Sequence, residues 1–147
     1  MTETLVVDAS IAVKWAVEEE GTSLALGLRH GRRFAAPEPL IVECANILWK
    51  KVQRGEVSRE EAKMAASLLE RSDIELFGMR GLLAKGTELA TDIGHPAYDC
   101  MYVSLAMSRN CRFVTADERL VRVLHQKAPR EIANLCMTLE QLSAGSN

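Results

Sequence analysis

Long apolar runs and a surplus of positive charge are both missing from this sequence. The longest apolar stretches fall far short of the roughly 18–20 residues that a membrane-spanning helix needs, so no membrane segment is expected. The formal net charge is −2, so any nucleic-acid contact must come from a local basic patch. The first residues, Met1 to Glu3, lack the cationic start of a secretory signal. We therefore expect a cytoplasmic protein.

Paired cysteines are missing as well. The four cysteines include no CxxC pair, and each lies in an apolar pattern: Cys44, Cys100, Cys111 and Cys136. This spacing argues against a zinc site and against a disulfide framework. We predict reduced cysteines packed in the core.

The composition that remains is that of an ordinary globular protein. The 147 residues are the size of one domain, with 48% of them apolar and 26% charged. No internal repeat, low-complexity segment or linker interrupts them. We predict one domain over residues 1–142, followed by a short disordered tail over residues 143–147.

Two patterns alternate along this domain. Short apolar runs are typical of strands, and longer amphipathic runs are typical of helices. The strands are predicted at Leu5–Val7, Phe34–Ala36, Ile74–Phe77, Cys111–Thr115 and Leu135–Thr138. The helices are predicted at about Ile11–Glu19, Thr22–His30, Pro39–Arg54, Arg59–Glu70, Leu82–Ile93, Ala97–Arg109 and Glu118–Lys127. The alternation predicts an α/β fold with a central, mainly parallel sheet of four to five strands flanked by helices.

Capping residues support several of these helices. Ser58 and Glu61 have the spacing of a capping box at the fourth helix, and Ser10 can cap the first. Pro39 and Pro96 suit first helical turns.

Four acidic residues stand at equivalent places in this pattern. Asp8 ends the first strand, and Asp117 follows the strand that ends at Thr115. Glu43 and Asp99 lie in the opening turns of two helices. Because ligands bind beyond the carboxyl ends of parallel strands, where the following helices begin, we expect these four carboxylates to share one cleft.

Each acid also has a structural explanation of its own. Asp117 can cap a helix, and Glu43 and Asp99 can complement helix dipoles. Asp8 is harder to explain in this way, because an isolated charge at a buried strand end is costly. Charges in one cleft repel by about 4 kcal/mol per pair at roughly 4 Å and an effective dielectric constant of about 20, so the four need protons or a cation. Without a nearby His or Cys set, such oxygen ligands favour Mg²⁺ or Mn²⁺, ions suited to phosphodiester hydrolysis.

Polar residues near the acids are candidates for supporting roles. Asn46 and Lys50 follow Glu43 along one helix stripe, where Asn46 can orient a ligand and Lys50 can meet a phosphate backbone. Ser10 and Thr115 each lie two residues from one of the acids, so their hydroxyls can orient carboxylates.

Four stretches of the sequence together resemble a known family. "VVDASIAVKW", "PEPLIVECANILWK", "HPAYDCMYVSLA" and "FVTADERL" look like the four motifs of PIN-domain ribonucleases, most of all the VapC toxins of VapBC toxin–antitoxin pairs. The resemblance runs from Leu5 to about Leu139, with the motifs in the expected order and spacing. It implies a single PIN-like domain with a catalytic acidic pocket that holds one or two Mg²⁺ or Mn²⁺ ions, formed by Asp8, Glu43, Asp99 and Asp117.

The same resemblance implies a metal-dependent endoribonuclease that acts as a toxin. It implies an RNA substrate, a small antitoxin protein as partner, and a homodimer. Basic residues near the acids are candidate RNA contacts: Lys14, Lys50, Lys51 and Arg54. The last three are equally explained as the cationic, solvated end of a helix.

Other functions are left with less support. A phosphorelay receiver domain would need an aspartate and a lysine at later strand ends, and the sequence has neither there. A haloacid-dehalogenase-like phosphatase would need an Asp-x-Asp motif, which is also missing. A PIN-like module that binds RNA or a peptide without cutting it remains as the alternative. Trp15 and Trp49 either line a partner groove or pack in the core or a dimer interface. The three histidines match no catalytic role, and we expect a structural role for His95.

Overall fold

Five parallel strands form the centre of the structure, a computed structural model that describes residues 2–145. The strands are β1 (Glu3–Val7), β2 (Arg32–Pro37), β3 (Glu75–Phe77), β4 (Arg112–Thr115) and β5 (Cys136–Thr138). Their order across the sheet is β3-β2-β1-β4-β5, and all four neighbouring pairs are parallel. The predicted parallel sheet is therefore confirmed, with β1 in its middle and all carboxyl ends at one edge.

Helices connect the strands and cover the sheet. They are α1 (Ala9–Ala16), α2 (Thr22–Gly27), α3 (Leu40–Gln53), α4 (Arg59–Glu70), α5 (Leu83–Ile93), α6 (Ala97–Arg109), α7 (Glu118–Lys127), α8 (Arg130–Ala133) and α9 (Leu139–Ala144), with a short 3₁₀ turn at Arg80–Leu82. All seven helices predicted from the sequence are confirmed, with ends no more than three residues from the prediction. The short helices α8 and α9 were not predicted.

The side chains of β1 alternate between the two faces of the sheet. Val6 packs in a cluster with residues of α3, α5, α6 and α7, whereas Leu5 and Val7 pack in a second cluster with α2 and α9. All three side chains are fully buried. The apolar run therefore belongs to a strand covered on both faces, as is usual in parallel sheets.

The junction of β1 and α1 differs from the prediction. α1 begins directly after Asp8, whose carboxylate accepts a hydrogen bond from the backbone N–H of Ile11 and caps the helix. The prediction that Ser10 caps this helix is wrong, because an aspartate is as good a cap and stands two residues earlier. The capping box of Ser58 and Glu61 at α4 is confirmed.

A helix extends into the segment for which a tail is predicted. α9 begins at a capping box formed by Thr138 and Gln141, and it extends to Ala144. Its Leu142 is buried in the second cluster. The first two residues of the predicted disordered tail are therefore helical, and its last two residues lie outside the described range.

Two further expectations concern membrane segments and cysteines. Within residues 2–145, no helix has both the length and the apolar composition needed to cross a membrane. All four cysteines are free of disulfides, and three of them are buried. Burial raises the pKa of Cys44 and of Cys136 to about 12. These thiols stay protonated, so the prediction of core cysteines is confirmed for the three that are buried.

Candidate active site

An open cleft of about 420 Å³ lies at the carboxyl edge of the sheet. The four acids singled out in the sequence all reach it, two from the loops after β1 and β4 and two from the first turns of α3 and α6. The residues that line the cleft are Asp8, Ala9, Ser10, Val42, Glu43, Asn46, Ile47, Asp99 and Asp117. The fold therefore brings these four carboxylates together, as the strand ends predict.

Asp8 is the most buried of the four acids, with 8% of its surface exposed. Its Oδ1 accepts a hydrogen bond from the hydroxyl of Ser10, and its Oδ2 accepts one from the hydroxyl of Thr115, both at 2.5 Å. The Ser10 hydroxyl in turn accepts a hydrogen bond from the backbone N–H of Ala116, and the Thr115 hydroxyl accepts one from the backbone N–H of Asp117. Burial raises the pKa of Asp8 to about 6, although the two hydroxyls favour the charged form. Ser10 and Thr115 thus both orient the same carboxylate.

Glu43 reaches the cleft from the first turn of α3. Its Oε1 accepts a 2.5 Å hydrogen bond from the hydroxyl of Tyr102, a residue of α6 that is only 1% exposed. Partial burial raises the pKa of Glu43; the charge of Asp99 raises it further, while the bond from Tyr102 opposes the rise. Burial also raises the pKa of Tyr102, which keeps its hydroxyl protonated and able to donate. No role of Tyr102 is predicted from the sequence.

Asp99 faces the cleft from the first turn of α6. Its Oδ2 lies 2.7 Å from Nε2 of His95, which precedes the helix by two residues. His95 holds a candidate site residue, a more specific contact than the structural role expected from the sequence. The spacing of four residues between them is the signal that could have indicated it. The charge of Asp99 also contributes to the raised pKa of both Asp8 and Glu43, so these three carboxylates interact electrostatically.

Asp117 combines the two roles that the sequence left open. Its Oδ1 accepts a hydrogen bond from the backbone N–H of Leu120 and caps α7. The same side chain lines the cleft. A capping function and a place in the site are therefore compatible for this residue.

Among the described residues, three of the cleft acids accept side-chain or backbone hydrogen bonds through one oxygen only. Within residues 2–145, no protein hydrogen bond reaches the second carboxylate oxygen of Glu43, Asp99 or Asp117. In the same range, no lysine or arginine forms an ion pair with any of the four acids. Within the described residues, the cleft therefore concentrates negative charge without a lysine or arginine to neutralise it.

The opposite edge of the sheet shows the contrast. There Glu3 accepts two 2.7 Å hydrogen bonds from the guanidinium of Arg112, and Arg32 lies nearby. The bond from Arg112 lowers the pKa of Glu3. Glu3 at the amino ends of the strands is thus paired with arginines, whereas the four acids at the carboxyl ends form no such pair within residues 2–145.

The donor set of the cleft fits a hard divalent cation. Carboxylate oxygens are the ligands that Mg²⁺ and Mn²⁺ prefer, and a cation would relieve the repulsion that contributes to the raised pKa of Asp8 and Glu43. The acids do not form a closed ligand set as they stand. In the described part of the chain, no three His, Cys, Asp or Glu side chains are close enough together to enclose an ion. Rotation of the side chains that have a free oxygen would be needed to complete the coordination.

The four basic residues predicted as RNA contacts fall into two pairs. Lys14 and Lys51 both form ion pairs with Glu19, and their side chains are only 13% and 14% exposed. Lys50 and Arg54 are exposed to solvent. Lys14 and Lys51 are therefore engaged in ion pairs by largely buried side chains. Lys50 and Arg54 are the more accessible candidate RNA contacts, with the exposed Arg54 guanidinium 3.9 Å from the carboxylate of Glu56.

Comparison with known proteins assigns the chain to a family. The PIN domain family model matches residues 5–125, a span that includes all four cleft acids. The chain belongs to the PIN domain family. It is 32% identical over 116 residues to ribonuclease VapC9 of Mycobacterium tuberculosis, a match that covers 79% of this chain and 87% of that protein.

Solved structures share the fold over most of its length. The PAE2754 protein of Pyrobaculum aerophilum is 22% identical, with a TM-score of 0.69, and the match covers 99% of this chain and 97% of that one. VapBC2 of Rickettsia felis, solved with a DNA fragment from its promoter, is 14% identical with a TM-score of 0.62; the match covers 92% of this chain and 98% of that one. At these identities the likeness shows the fold.

The raised pKa of Asp8 predicts how stability depends on pH. Because the folded carboxyl has a pKa of about 6 and the unfolded one about 3.9, the native state binds its proton more tightly, and its stability falls as pH rises through that window. Asp8→Asn removes this titration. In EDTA, we expect the free energy of unfolding of Asp8→Asn minus that of the wild type to rise from pH 4 to pH 7 by up to roughly 3 kcal/mol. Urea unfolding at several pH values measures this difference.

The matched control is Asp92→Asn, which makes the same chemical change at an exposed residue of α5. Its difference from the wild type should stay constant over the same pH range. A constant difference for Asp8→Asn as well would contradict the electrostatic description of the cleft.

Proposed function

We propose that this protein is a metal-dependent endoribonuclease that hydrolyses RNA phosphodiester bonds with Mg²⁺ or Mn²⁺. The observation that carries the proposal is the convergence of four carboxylates on one open cleft. Among residues 2–145 none of them has a lysine or arginine partner, and three have an oxygen without a protein hydrogen bond. The 32% identity to a protein named as a ribonuclease supports RNA as the substrate.

In this proposal Asp8 has one part and the other three acids share another. Asp8 is fixed by two hydroxyls and one backbone N–H and would be the most firmly held ligand. Glu43, Asp99 and Asp117 would complete the set with their free oxygens. An ion held by these carboxylates would lower the pKa of a bound water molecule and neutralise charge on a phosphoryl oxygen. The four residues are the catalytic and metal-binding residues of the proposed enzyme.

The proposed RNA path crosses the exposed side of α3. Asn46 lines the cleft one turn after Glu43, and Lys50 follows one turn later. Arg54 is exposed at the end of the helix. Lys50 and Arg54 would contact phosphates, which positions the strand without reading its sequence. Asn46 would orient a ligand or a water molecule at the mouth of the cleft.

The first test is cleavage of single-stranded RNA by purified protein. We expect cleavage that requires Mn²⁺ or Mg²⁺ and stops with EDTA. Asp99→Asn should lower the rate by about 100-fold or more, because several kcal/mol of charge stabilisation are lost with a metal ligand. Gel electrophoresis of an end-labelled RNA measures the rate.

This test has one control variant and two results that would argue against the proposal. Asp92→Asn, purified in parallel, should cleave like the wild type, and its failure would point to a general effect of the substitution. Cleavage by Asp99→Asn at the wild-type rate would indicate a contaminating nuclease. Metal-independent binding of RNA with no cleavage would favour the alternative, a non-catalytic PIN-like binding module.

We further propose that the protein is the toxin of a toxin–antitoxin pair, neutralised by a small antitoxin. An apolar groove between α1, α3 and α4 supports such a partner; Ile41, which lines it, is 51% exposed. Trp49 of α3 and Met64 and Leu68 of α4 are also large and exposed. These residues suit a short apolar segment that becomes ordered on binding.

Trp15, the other candidate for a partner groove, packs within the protein. Its indole N–H donates to the backbone carbonyl of Ala25, and its ring packs edge-on against Phe34. An antitoxin groove is therefore proposed along α3 and α4 instead. An arginine of the partner would suit the acidic cleft, because its guanidinium can pair with two carboxylates.

A homodimer in the cytoplasm completes the proposal. A second apolar cleft of about 790 Å³ adjoins the acidic one and shares Val42 and Glu43 with it. Tyr98 and Val42 in this cleft are 80% and 66% exposed, and Met79 and Met101 also line it. Contiguous exposed apolar surface of this kind is typical of a protein–protein interface.

Growth on induction tests the toxin proposal. We expect expression of the wild type alone to arrest growth, and co-expression of the adjacent small reading frame to relieve the arrest. Asp99→Asn should permit growth at equal protein levels, because arrest requires cleavage. Normal growth with soluble, RNA-cleaving wild-type protein would contradict the toxin proposal and leave the nuclease intact.

A further inference from the structure

The hydrogen bond between Tyr102 and Glu43 joins two parts of the site that are otherwise held by different neighbours. Glu43 belongs to α3, which packs mainly on α1 and α4. Tyr102 belongs to α6, which packs mainly on α5 and on the strands β1, β2 and β4. The 2.5 Å bond from the Tyr102 hydroxyl to Glu43 Oε1 spans 59 residues of sequence and connects these two units directly at the cleft.

The ring of Tyr102 is fixed by packing in the core. It is 1% exposed and stacks on Phe113 of β4, with ring centroids 5.9 Å apart and planes at 26°. Phe113 is itself fully buried and precedes Thr115, which holds Asp8, by two residues. The hydroxyl of Tyr102 is thus presented from the same rigid core that positions Asp8.

The position of Tyr102 on α6 relates it to a second cleft acid. Asp99 lies three residues earlier, so the two side chains share one face of the helix. Glu43 Oε1 is occupied by the Tyr102 hydroxyl, while Oε2 has no protein hydrogen bond within residues 2–145. A carboxylate held by one oxygen in this way keeps the other available in a restricted range of orientations.

We infer that Tyr102 is a positioning residue of the metal site: it holds Glu43 by one oxygen and so orients the other toward an ion shared with Asp8 and Asp99. The inference rests on the proposed function, since it assumes that the cleft binds Mg²⁺ or Mn²⁺. Partners that orient metal ligands from behind contribute about 10- to 100-fold to metal affinity in other proteins. A core tyrosine whose hydroxyl is merely accommodated would contribute nothing of this kind.

Binding of Mn²⁺ tests the inference without any measurement of activity. The free ion gives a paramagnetic resonance signal that is lost on binding, so titration yields a dissociation constant for each variant. We expect Tyr102→Phe, which keeps the ring and its packing, to raise the dissociation constant for Mn²⁺ about 10-fold or more. Near-ultraviolet circular dichroism checks that the fold is retained.

Ser104→Ala is the matched control on the same helix. The hydroxyl of Ser104 is buried and has no hydrogen-bond partner among the described residues, so its removal deletes a buried hydroxyl that holds nothing. We expect the Mn²⁺ affinity of Ser104→Ala to equal that of the wild type. An equal loss in both variants would indicate a general effect of changing α6 and overturn the inference.

A double-mutant cycle with Glu43→Ala separates positioning from a structural effect. If Tyr102 acts through Glu43, Tyr102→Phe should weaken Mn²⁺ binding in the wild type and have no effect when Glu43 is already alanine. An equal loss in both backgrounds, or affinity within twofold of the wild type for Tyr102→Phe alone, would overturn the inference and leave the proposed function standing. Failure of the wild type to bind Mn²⁺ would overturn the proposed function itself.

Discussion

A carboxylate buried at the end of the central strand is the constraint on which the site depends. Asp8 cannot turn away from the cleft, because it caps α1 and accepts hydrogen bonds from Ser10 and Thr115. The Asp8 carboxylate therefore stays close to Asp99, whose charge raises the pKa of Asp8 further. At the amino ends of the strands, by contrast, the partly exposed Glu3 is paired with Arg112 and Arg32. The four acids at the carboxyl ends of the strands have no such arginine partners among the described residues. A cation from solution would therefore be attracted most strongly to this cleft.

Most of the fold could be predicted because its signals are local. The apolar runs of the strands and the periodicity of the longer helices each lie within one segment, and a parallel sheet follows from their alternation. α8 could not be predicted, because it has four residues and buries only Ala133, so no period can be seen. α9 carries a capping-box spacing at Thr138 and Gln141, but it follows β5 without a loop and is only six residues long. Because no loop residues separate the strand from the helix, the hydrophobic pattern of the one cannot be distinguished from that of the other in the sequence.

The acids of the cleft and the supporting hydroxyls of Ser10 and Thr115 could be predicted for the same reason, whereas contacts between distant parts of the sequence could not. A strand end or a helix start is visible in the sequence, and the topology of the sheet gathers such positions at one edge. Tyr102 is 59 residues from Glu43, and Thr115 is 107 residues from Asp8, so only the folded structure brings each pair together. The basic residues illustrate the same limit. Lys14 and Lys51 are candidate RNA contacts by their charge and their place near the acids in the sequence, but their ion pairs with Glu19 arise from tertiary packing.

The most direct measurement of the central claim is the melting temperature with and without divalent metal. If the cleft binds an ion in the native state, Mg²⁺ or Mn²⁺ at about 100 times its dissociation constant should stabilise the wild type by about 2.7 kcal/mol, which corresponds to several degrees. Asp99→Asn should lose most of this shift, and NaCl of equal ionic strength should not reproduce it in the wild type. An equal shift in the wild type and Asp99→Asn, or no shift beyond that caused by NaCl, would contradict a metal site at these carboxylates.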